Sequence, residues 1–288
     1  MTTPASMGPL TIAMLGLGSM NGAILAGLLR AGVRPENIVA TTRSTASAEQ
    51  KAAQHGVRVL AEEADPEANR AAASHADVVL LGVKPHQIVE TCEDIREALK
   101  SEAVVVSVAA AVDLEMIEGA LREGQPVIRS MPNTPLSVGL GVVGLVPGAH
   151  ARPEQTEQIS GLFTPCGAVH VIEESQINAL TGVAGSGPAY AFYLAEHMAA
   201  AGEEMGLSPE LAADLAAQTL HGAGRMLVEN RGTSDAAQLR RNVASPNGTT
   251  QQAIQTFDAA EMGRTVRDGA RASAARAAEI TEQLKSAG

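Results

Sequence analysis

The sequence predicts an α/β fold joined to an all-α region: a doubly wound, mostly parallel sheet over residues 1–172, then a helical domain over 173–288. Three observations carry this. Thr11 to Arg30, TIAMLGLGSMNGAILAGLLR, passes from an apolar strand-like run through Gly16-Leu17-Gly18 into a helical pattern. Short apolar runs then alternate with helical patterns as far as Ile172, which builds a parallel sheet with helices on both faces. Beyond Glu173 no strand-like run remains, and alanine and charged residues recur at helical spacing to the end.

The first strand is Ile12, Ala13, Met14 and Leu15; the helix after it carries Met20, Ile24, Leu25 and Leu28 on one face. Gly16 permits the tight turn between them, and Gly18 a close approach of the backbone to a pyrophosphate. Ser19 and Met20 stand at the helix N-terminus, whose unpaired N–H groups and positive dipole end favour phosphate. This is the opening of a Rossmann-type dinucleotide-binding unit; the bland alternative is a glycine-lined turn in an ordinary α/β sheet. The third position of G-x-G-x-x-G is Asn21, with Gly22 one step later, so close helix–strand packing is expected to be imperfect.

A second strand, 37–41, ends at Thr41-Thr42-Arg43-Ser44. An acidic residue there would bind the ribose hydroxyls of NAD. Hydroxyls and an arginine suit a 2′-phosphate instead, so NADPH is the expected cofactor, with NADH as the alternative. Arg43 merely solvated in a surface loop is the competing reading.

A helix at 46–54, a strand at 57–60 and an alanine-rich helix to about Ser74 follow. The apolar run 77–83 reads as a strand covered on both faces; it closes in Val83, Lys84 and Pro85, and Pro85 opens a helix to about Lys100. Residues 103–109 form another buried strand, Asp113 caps a helix at 114–122, and 127–131 is a sixth strand running into Pro132-Asn133-Thr134-Pro135. Further strands at 139–146 and 168–172 flank a helix at 153–163. Gly185-Ser186-Gly187-Pro188 reads as a helix start with a serine cap and a first-turn proline, and Ser245 to Thr250 precedes a helix at 251–257.

At 288 residues, 45% hydrophobic and 18% charged, the chain suits two globular domains. A net charge of −11 argues against nucleic acid or anionic membrane as partners, and 2% aromatics leave few platforms for base stacking. Cys92 and Cys166 lie far apart with no C-x-x-C pattern, which favours reduced, buried thiols and a cytoplasmic location. No H-x-H or H-E-x-x-H arrangement is present, so no metal site is expected. The start, MTTPASMGP, lacks the pattern of a signal peptide, and Met7 is an alternative initiator.

Four stretches now align in order: GLGSMNGAI at 16–24; Val83-Lys84-Pro85; Arg129-Ser130-Met131-Pro132-Asn133-Thr134-Pro135; and Gly185-Ser186-Gly187-Pro188-Ala189-Tyr190 with the later Val243-Ala244-Ser245-Pro246-Asn247-Gly248-Thr249-Thr250. Together they closely resemble pyrroline-5-carboxylate reductase, the last enzyme of proline synthesis, over roughly residues 10–280. Ser19 and Asn21 stand where that family often has Asn and Gly, and Asn247 where Gly is commonest. Asparagine tolerates left-handed backbone angles better than most residues.

The resemblance implies reduction of 1-pyrroline-5-carboxylate to L-proline, hydride passing from the nicotinamide to the ring carbon of the C=N bond. Val83, Lys84, Pro85, Met131 and Asn133 close strands whose carboxyl ends are where a nicotinamide dinucleotide lies. The Asn133 amide suits the nicotinamide ribose, and Lys84 a phosphate or substrate carboxylate, unless it is simply a solvated lysine. Around Ser245, backbone N–H groups of Asn247, Gly248 and Thr249 are expected to hold the substrate carboxylate, with the Thr250 hydroxyl meeting the ring nitrogen as the catalytic contact. No Asp, Glu or His in these motifs offers itself as a general acid. His197, His221, Arg225, Arg240 and Arg241 read as helix-face residues, and Tyr190 as core packing. As partners, the resemblance implies a homodimer through the C-terminal helices, a dimerisation domain, with a decamer of five dimers as the larger ring. The rival readings are a related imine or 2-hydroxyacid reductase of the same two-domain plan and a non-catalytic NADP-binding regulator. Against the hydroxyacid reading, Ala189 to Glu204 contains no lysine.

Overall fold

The computed structural model describes residues 10–287, so the Met7 alternative start lies outside the described residues. Eight strands form one sheet: β1 (Ile12–Leu15), β2 (Ile38–Thr42), β3 (Arg58–Ala61), β4 (Val78–Leu81), β5 (Val104–Ser107), β6 (Val127–Pro132), β7 (Gly141–Pro147) and β8 (Gly167–Val171). Their order is β3-β2-β1-β4-β5-β6-β7-β8. All neighbours are parallel except β6 and β7, which the short Thr134–Val138 turn joins as an antiparallel pair. Order reverses between β1 and β4, the switch point of a doubly wound sheet.

The helices between strands are α1 (Ser19–Arg30), α2 (Thr45–His55), α3 (Ala68–Ala73), α4 (Ile88–Ile95), α5 (Leu114–Ala120) and α6 (Pro153–Phe163). Alternate residues of the central strands feed two cores. Ile12, Met14, Leu80 and Val106 pack with Ile24, Leu25 and Leu28 of α1 on one face. Ala13, Leu15, Val79 and Val105 pack with Ile88, Cys92 and Ile95 of α4 on the other. Both faces are dry, which is why β1, β4 and β5 read as unbroken apolar runs. Asp113 caps α5, its carboxylate accepting the Met116 N–H at 3.1 Å.

Beyond the sheet come α7 (Ile177–Leu180), α8 (Gly187–Glu204), α9 (Pro209–Glu229), α10 (Ala236–Val243), α11 (Thr249–Ala259) and α12 (Met262–Ala287). The described residues form two compact units: one runs to Gly185 and takes in the chain from Ser273, the other spans Ser186–Ala272. In the first, Lys285 Nζ meets the carboxylates of Asp113 at 2.6 Å and Glu115 at 3.1 Å. The second buries few side chains, Ala212 and Ala216 among them, and leaves Phe192, Tyr193, Phe257 and Val266 exposed.

Three local expectations change. Pro85 opens a 3₁₀ turn, Pro85–Gln87, and α4 stops at Ile95 rather than near Lys100. Ser186 does not cap α8: a π-helical turn over Thr181–Gly185 carries the chain into the helix, so Ser186 has near-helical angles (φ −88°, ψ −16°) instead of a cap's extended ones. α11 starts at Thr249 rather than 251, with Gly248 in the extended N-cap conformation.

Candidate functional site

The glycine turn sits at the carboxyl end of β1, between the ends of β2 and β4. Gly16 has φ 78°, and a Cβ there would lie 2.8 Å from Val83 Cγ1 and 2.9 Å from the Val83 nitrogen, so backbone angle and space both require glycine. A Cβ on Gly18 would meet nothing within 4 Å; the space before the turn is open, as approach of a pyrophosphate requires. Gly18 is the N-cap of α1 and no side chain caps it, which leaves the Ser19 and Met20 amides pointing outward for an anion.

Thr41, one of the hydroxyls that close the second strand, shapes this turn. The Gly16 N–H donates to Thr41 Oγ1 at 3.1 Å and the Leu17 N–H to the Thr41 carbonyl at 2.8 Å. The Thr41 hydroxyl donates in turn to Asn69 Oδ1 at 2.7 Å. Its hydroxyl, read from the sequence as part of a phosphate-suited strand end, couples β2 to the turn instead.

At the end of β2 the Thr42 hydroxyl donates to the Ser44 carbonyl at 3.2 Å, and Ser44 Oγ caps α2 by accepting the Ser47 N–H at 3.3 Å. Both hydroxyls therefore hold the strand end in shape. The Thr45 N–H donates to Glu63 Oε2 at 3.0 Å, an acid eighteen residues further along the chain. Arg43 is exposed and, among the described residues, joins no ion pair.

Past β4, Val83 lies against Gly16, Lys84 is exposed, and Pro85 opens its 3₁₀ turn. β6 is parallel to β5 and β5 to β4, so Met131 and Asn133 reach the same edge of the sheet. Met131 Cε lies where a Cβ on Gly185 would approach to 2.9 Å. Asn133 is 7% exposed and already bonded at both polar ends: Nδ2 donates to the Ala184 carbonyl at 2.9 Å, and Oδ1 accepts the Val142 N–H at 2.8 Å. The amide expected to serve a ribose instead fixes its own loop, with one Nδ2 hydrogen remaining. Among the described residues no group of His, Cys, Asp or Glu is arranged to hold a metal. Burial pushes the Cys92 thiol up to about 12 and raises that of Cys166, so neither is a nucleophile at neutral pH.

In the second unit, Asn247 adopts φ 58°, as an asparagine in a glycine position allows. Its N–H donates to Gln251 Oε1 at 2.6 Å, and the Gly248 N–H to the Ser245 carbonyl at 2.9 Å. Two of the three amides expected to meet the substrate are thus closed within the loop. The donors that open α11 are those of Thr249 and Thr250, with no side-chain cap over them. Thr250 is half-buried while Ser245, Asn247 and Thr249 are exposed. His197 packs edge-on to Tyr193, with ring centroids 4.3 Å apart, as a helix-face residue.

Residues 174–280 match the family model for pyrroline-5-carboxylate reductase dimerisation, and residues 11–111 that for NADP oxidoreductase, coenzyme F420-dependent. The chain is 38% identical to the pyrroline-5-carboxylate reductase of Pseudomonas aeruginosa, covering 95% of this chain and 97% of that one. It is 37% identical to that of Mycobacterium tuberculosis over 86% of this chain and 88% of the relative. The solved pyrroline-5-carboxylate reductase of Coxiella burnetii superposes with a TM-score of 0.87 at 34% identity, covering 95% and 99% of the two chains. The Plasmodium falciparum pyrroline carboxylate reductase, solved with NADP bound, shares the fold at TM-score 0.83 and 24% identity, over 96% and 100%. With an open glycine turn at the sheet's switch point and this likeness along nearly its whole length, the chain belongs to the pyrroline-5-carboxylate reductase family.

Proposed function

We propose that this protein reduces 1-pyrroline-5-carboxylate to L-proline with NADPH, in the cytoplasm. The observation that carries the reading is the open, uncapped glycine turn with exposed Arg43 beside it, in a chain 38% identical to the Pseudomonas aeruginosa reductase. The residues fit the cofactor: a Cβ-free space at Gly18, two outward amides at Ser19 and Met20, and a guanidinium where NAD-binding folds place an acid. When bound, NADPH supplies the hydride that the ring carbon accepts.

The Ser19 and Met20 amides hold the pyrophosphate, Arg43 meets the 2′-phosphate, and Thr42 and Ser44 keep that strand end in place. Val83, Lys84, Pro85, Met131 and Asn133 border the nicotinamide half, Asn133 chiefly by fixing its loop. The Thr249 and Thr250 amides hold the substrate carboxylate, Ser245, Asn247 and Gly248 set the loop, and the Thr250 hydroxyl meets the ring nitrogen. We place the functional division near residue 173, with substrate and subunit contacts in 173–288; the dimerisation match over residues 174–280 supports this. Its exposed apolar helix faces support a homodimer through those helices, and a decamer of five dimers is the larger assembly proposed.

Purified protein, pyrroline-5-carboxylate and either NADPH or NADH test the reading. NADPH oxidation that yields proline supports it, and Thr250→Val lowers turnover by about 10²-fold. Wild-type protein that forms no proline with either cofactor rejects it. Recovery of the protein outside the cytoplasmic fraction would reject the location.

A further inference from the structure

Asn21 breaks the glycine fingerprint, yet it is fully buried at the third position of α1. Its Nδ2 faces three backbone carbonyls: Gly16 at 3.2 Å, Leu80 at 3.3 Å and Leu15 at 3.4 Å. These are in the glycine turn, at the last residue but one of β4 and at the last residue of β1, so one amide group fastens helix, turn and both central strands. Two hydrogens serve three acceptors, which centres the amide among them.

Space for this side chain comes from Gly82. A Cβ on Gly82 would lie 2.3 Å from Asn21 Nδ2 and 2.4 Å from Asn21 Cγ, and 2.8 Å from the Gly16 carbonyl oxygen. Gly82 is also anchored, its N–H donating to the Leu15 carbonyl at 2.8 Å. In the usual fingerprint the helix carries the small residue and packs directly on the strand. Here the small residue is on the strand connection and the helix carries the filler. The other end of the side chain is costly: Asn21 Oδ1 is buried with no hydrogen-bond partner. A side chain needed only to fill space would not carry that oxygen, whereas the Nδ2 contacts require an amide.

We propose that Asn21 and Gly82 form a reciprocal pair in which Asn21 is a positioning residue for the cofactor. Through the Gly16 carbonyl it holds the turn, and through Leu80 it sets how far the first-turn amides of α1 stand from the sheet. This rests on the reading that the turn binds NADPH. Its hydrogen-bond partners lie in the glycine turn and in β1 and β4, so its removal acts on cofactor binding and not on the chemical step.

NADPH titration by fluorescence and steady-state kinetics on wild type, Asn21→Ala, Asn21→Ser and Gly82→Ala test it, with thermal melts alongside. Asn21→Ala raises the NADPH Kd and KM about tenfold while kcat stays within about twofold; Asn21→Ser, which keeps a donor, recovers part of the loss. Gly82→Ala gives the same pattern by displacing Asn21, and adding Asn21→Gly to it restores affinity in part, so the two changes are not additive. Variants that melt lower but bind NADPH as wild type does overturn the proposal, as does a fall in kcat with KM unchanged. If wild type itself binds no NADPH, the parent reading falls as well; if wild type binds and the variants bind equally, only this proposal falls.

Discussion

The Thr41 hydroxyl accepts the Gly16 N–H at 3.1 Å while donating to Asn69 Oδ1 at 2.7 Å, so one side chain of β2 fixes where the glycine turn begins. Thr41 is fully buried. Thr41→Val keeps the shape but strands the Gly16 N–H and Asn69 Oδ1, at a cost of about 1–3 kcal/mol. The expected outcome is a lower melting temperature together with a raised NADPH KM, and Thr41→Ser restores both. Unchanged KM in a destabilised Thr41→Val would show that the turn holds its shape without β2.

Arg43 is the residue by which the protein would tell the two nicotinamide cofactors apart. A charge-assisted bond to the 2′-phosphate is worth about 1.5–3 kcal/mol, so Arg43→Ala raises the NADPH KM by about ten- to a hundredfold. The NADH KM stays within about twofold, because that cofactor has no phosphate to lose. Equal effects on both cofactors would place Arg43 in the fold and not in recognition.

Much of this was legible along the chain, and what was not has a common physical cause. The strand, turn and helix at the start, the Asp113 cap, the limits of α6 and the left-handed Asn247 follow from neighbours in sequence, where local sterics decide. Asn21 looked like a defect because its counterpart, Gly82, comes from a different strand connection. The amides of Asn247 and Gly248 looked available because only the folded loop brings Gln251 Oε1 and the Ser245 carbonyl onto them. Ser186 read as a cap, but the π-helical turn before it brings it to the start of α8 at near-helical angles, where its side chain makes no cap bond.

Asp77 links the first strand to the connection before β4. Its carboxylate accepts the Thr11 N–H at 3.0 Å and the Thr11 hydroxyl at 2.7 Å, and pairs with Lys100 at 2.8 Å. Burial pushes its pKa up, but the bonds from Lys100 and Thr11 outweigh it and hold the carboxyl below its usual 3.8. A depressed carboxyl stabilises the fold above its unfolded pKa and loses that contribution as pH falls through the folded value. Wild type therefore melts higher than Asp77→Asn near neutral pH, by a gap that closes on acidification. A gap independent of pH would assign the effect to packing.

The helical unit presents an apolar cleft of about 700 Å³ lined by Tyr190, Tyr193, Leu194, His197, Phe257 and Val266. Val266 is 53% exposed and Phe257 45%, side chains that a second copy would cover. Val266→Asp places a charge in that surface, and sedimentation is expected to show a monomer with little activity. A dimer of full activity would move the subunit contact elsewhere.

Hydride transfer to the ring imine leaves an isotopic mark on the product. Protein, pyrroline-5-carboxylate and NADPH dideuterated at nicotinamide C4 are incubated, and the proline formed is examined by mass spectrometry. L-Proline carrying one deuterium at C5 is the predicted result. Proline without deuterium, or oxidation of NADPH with no proline, would contradict it.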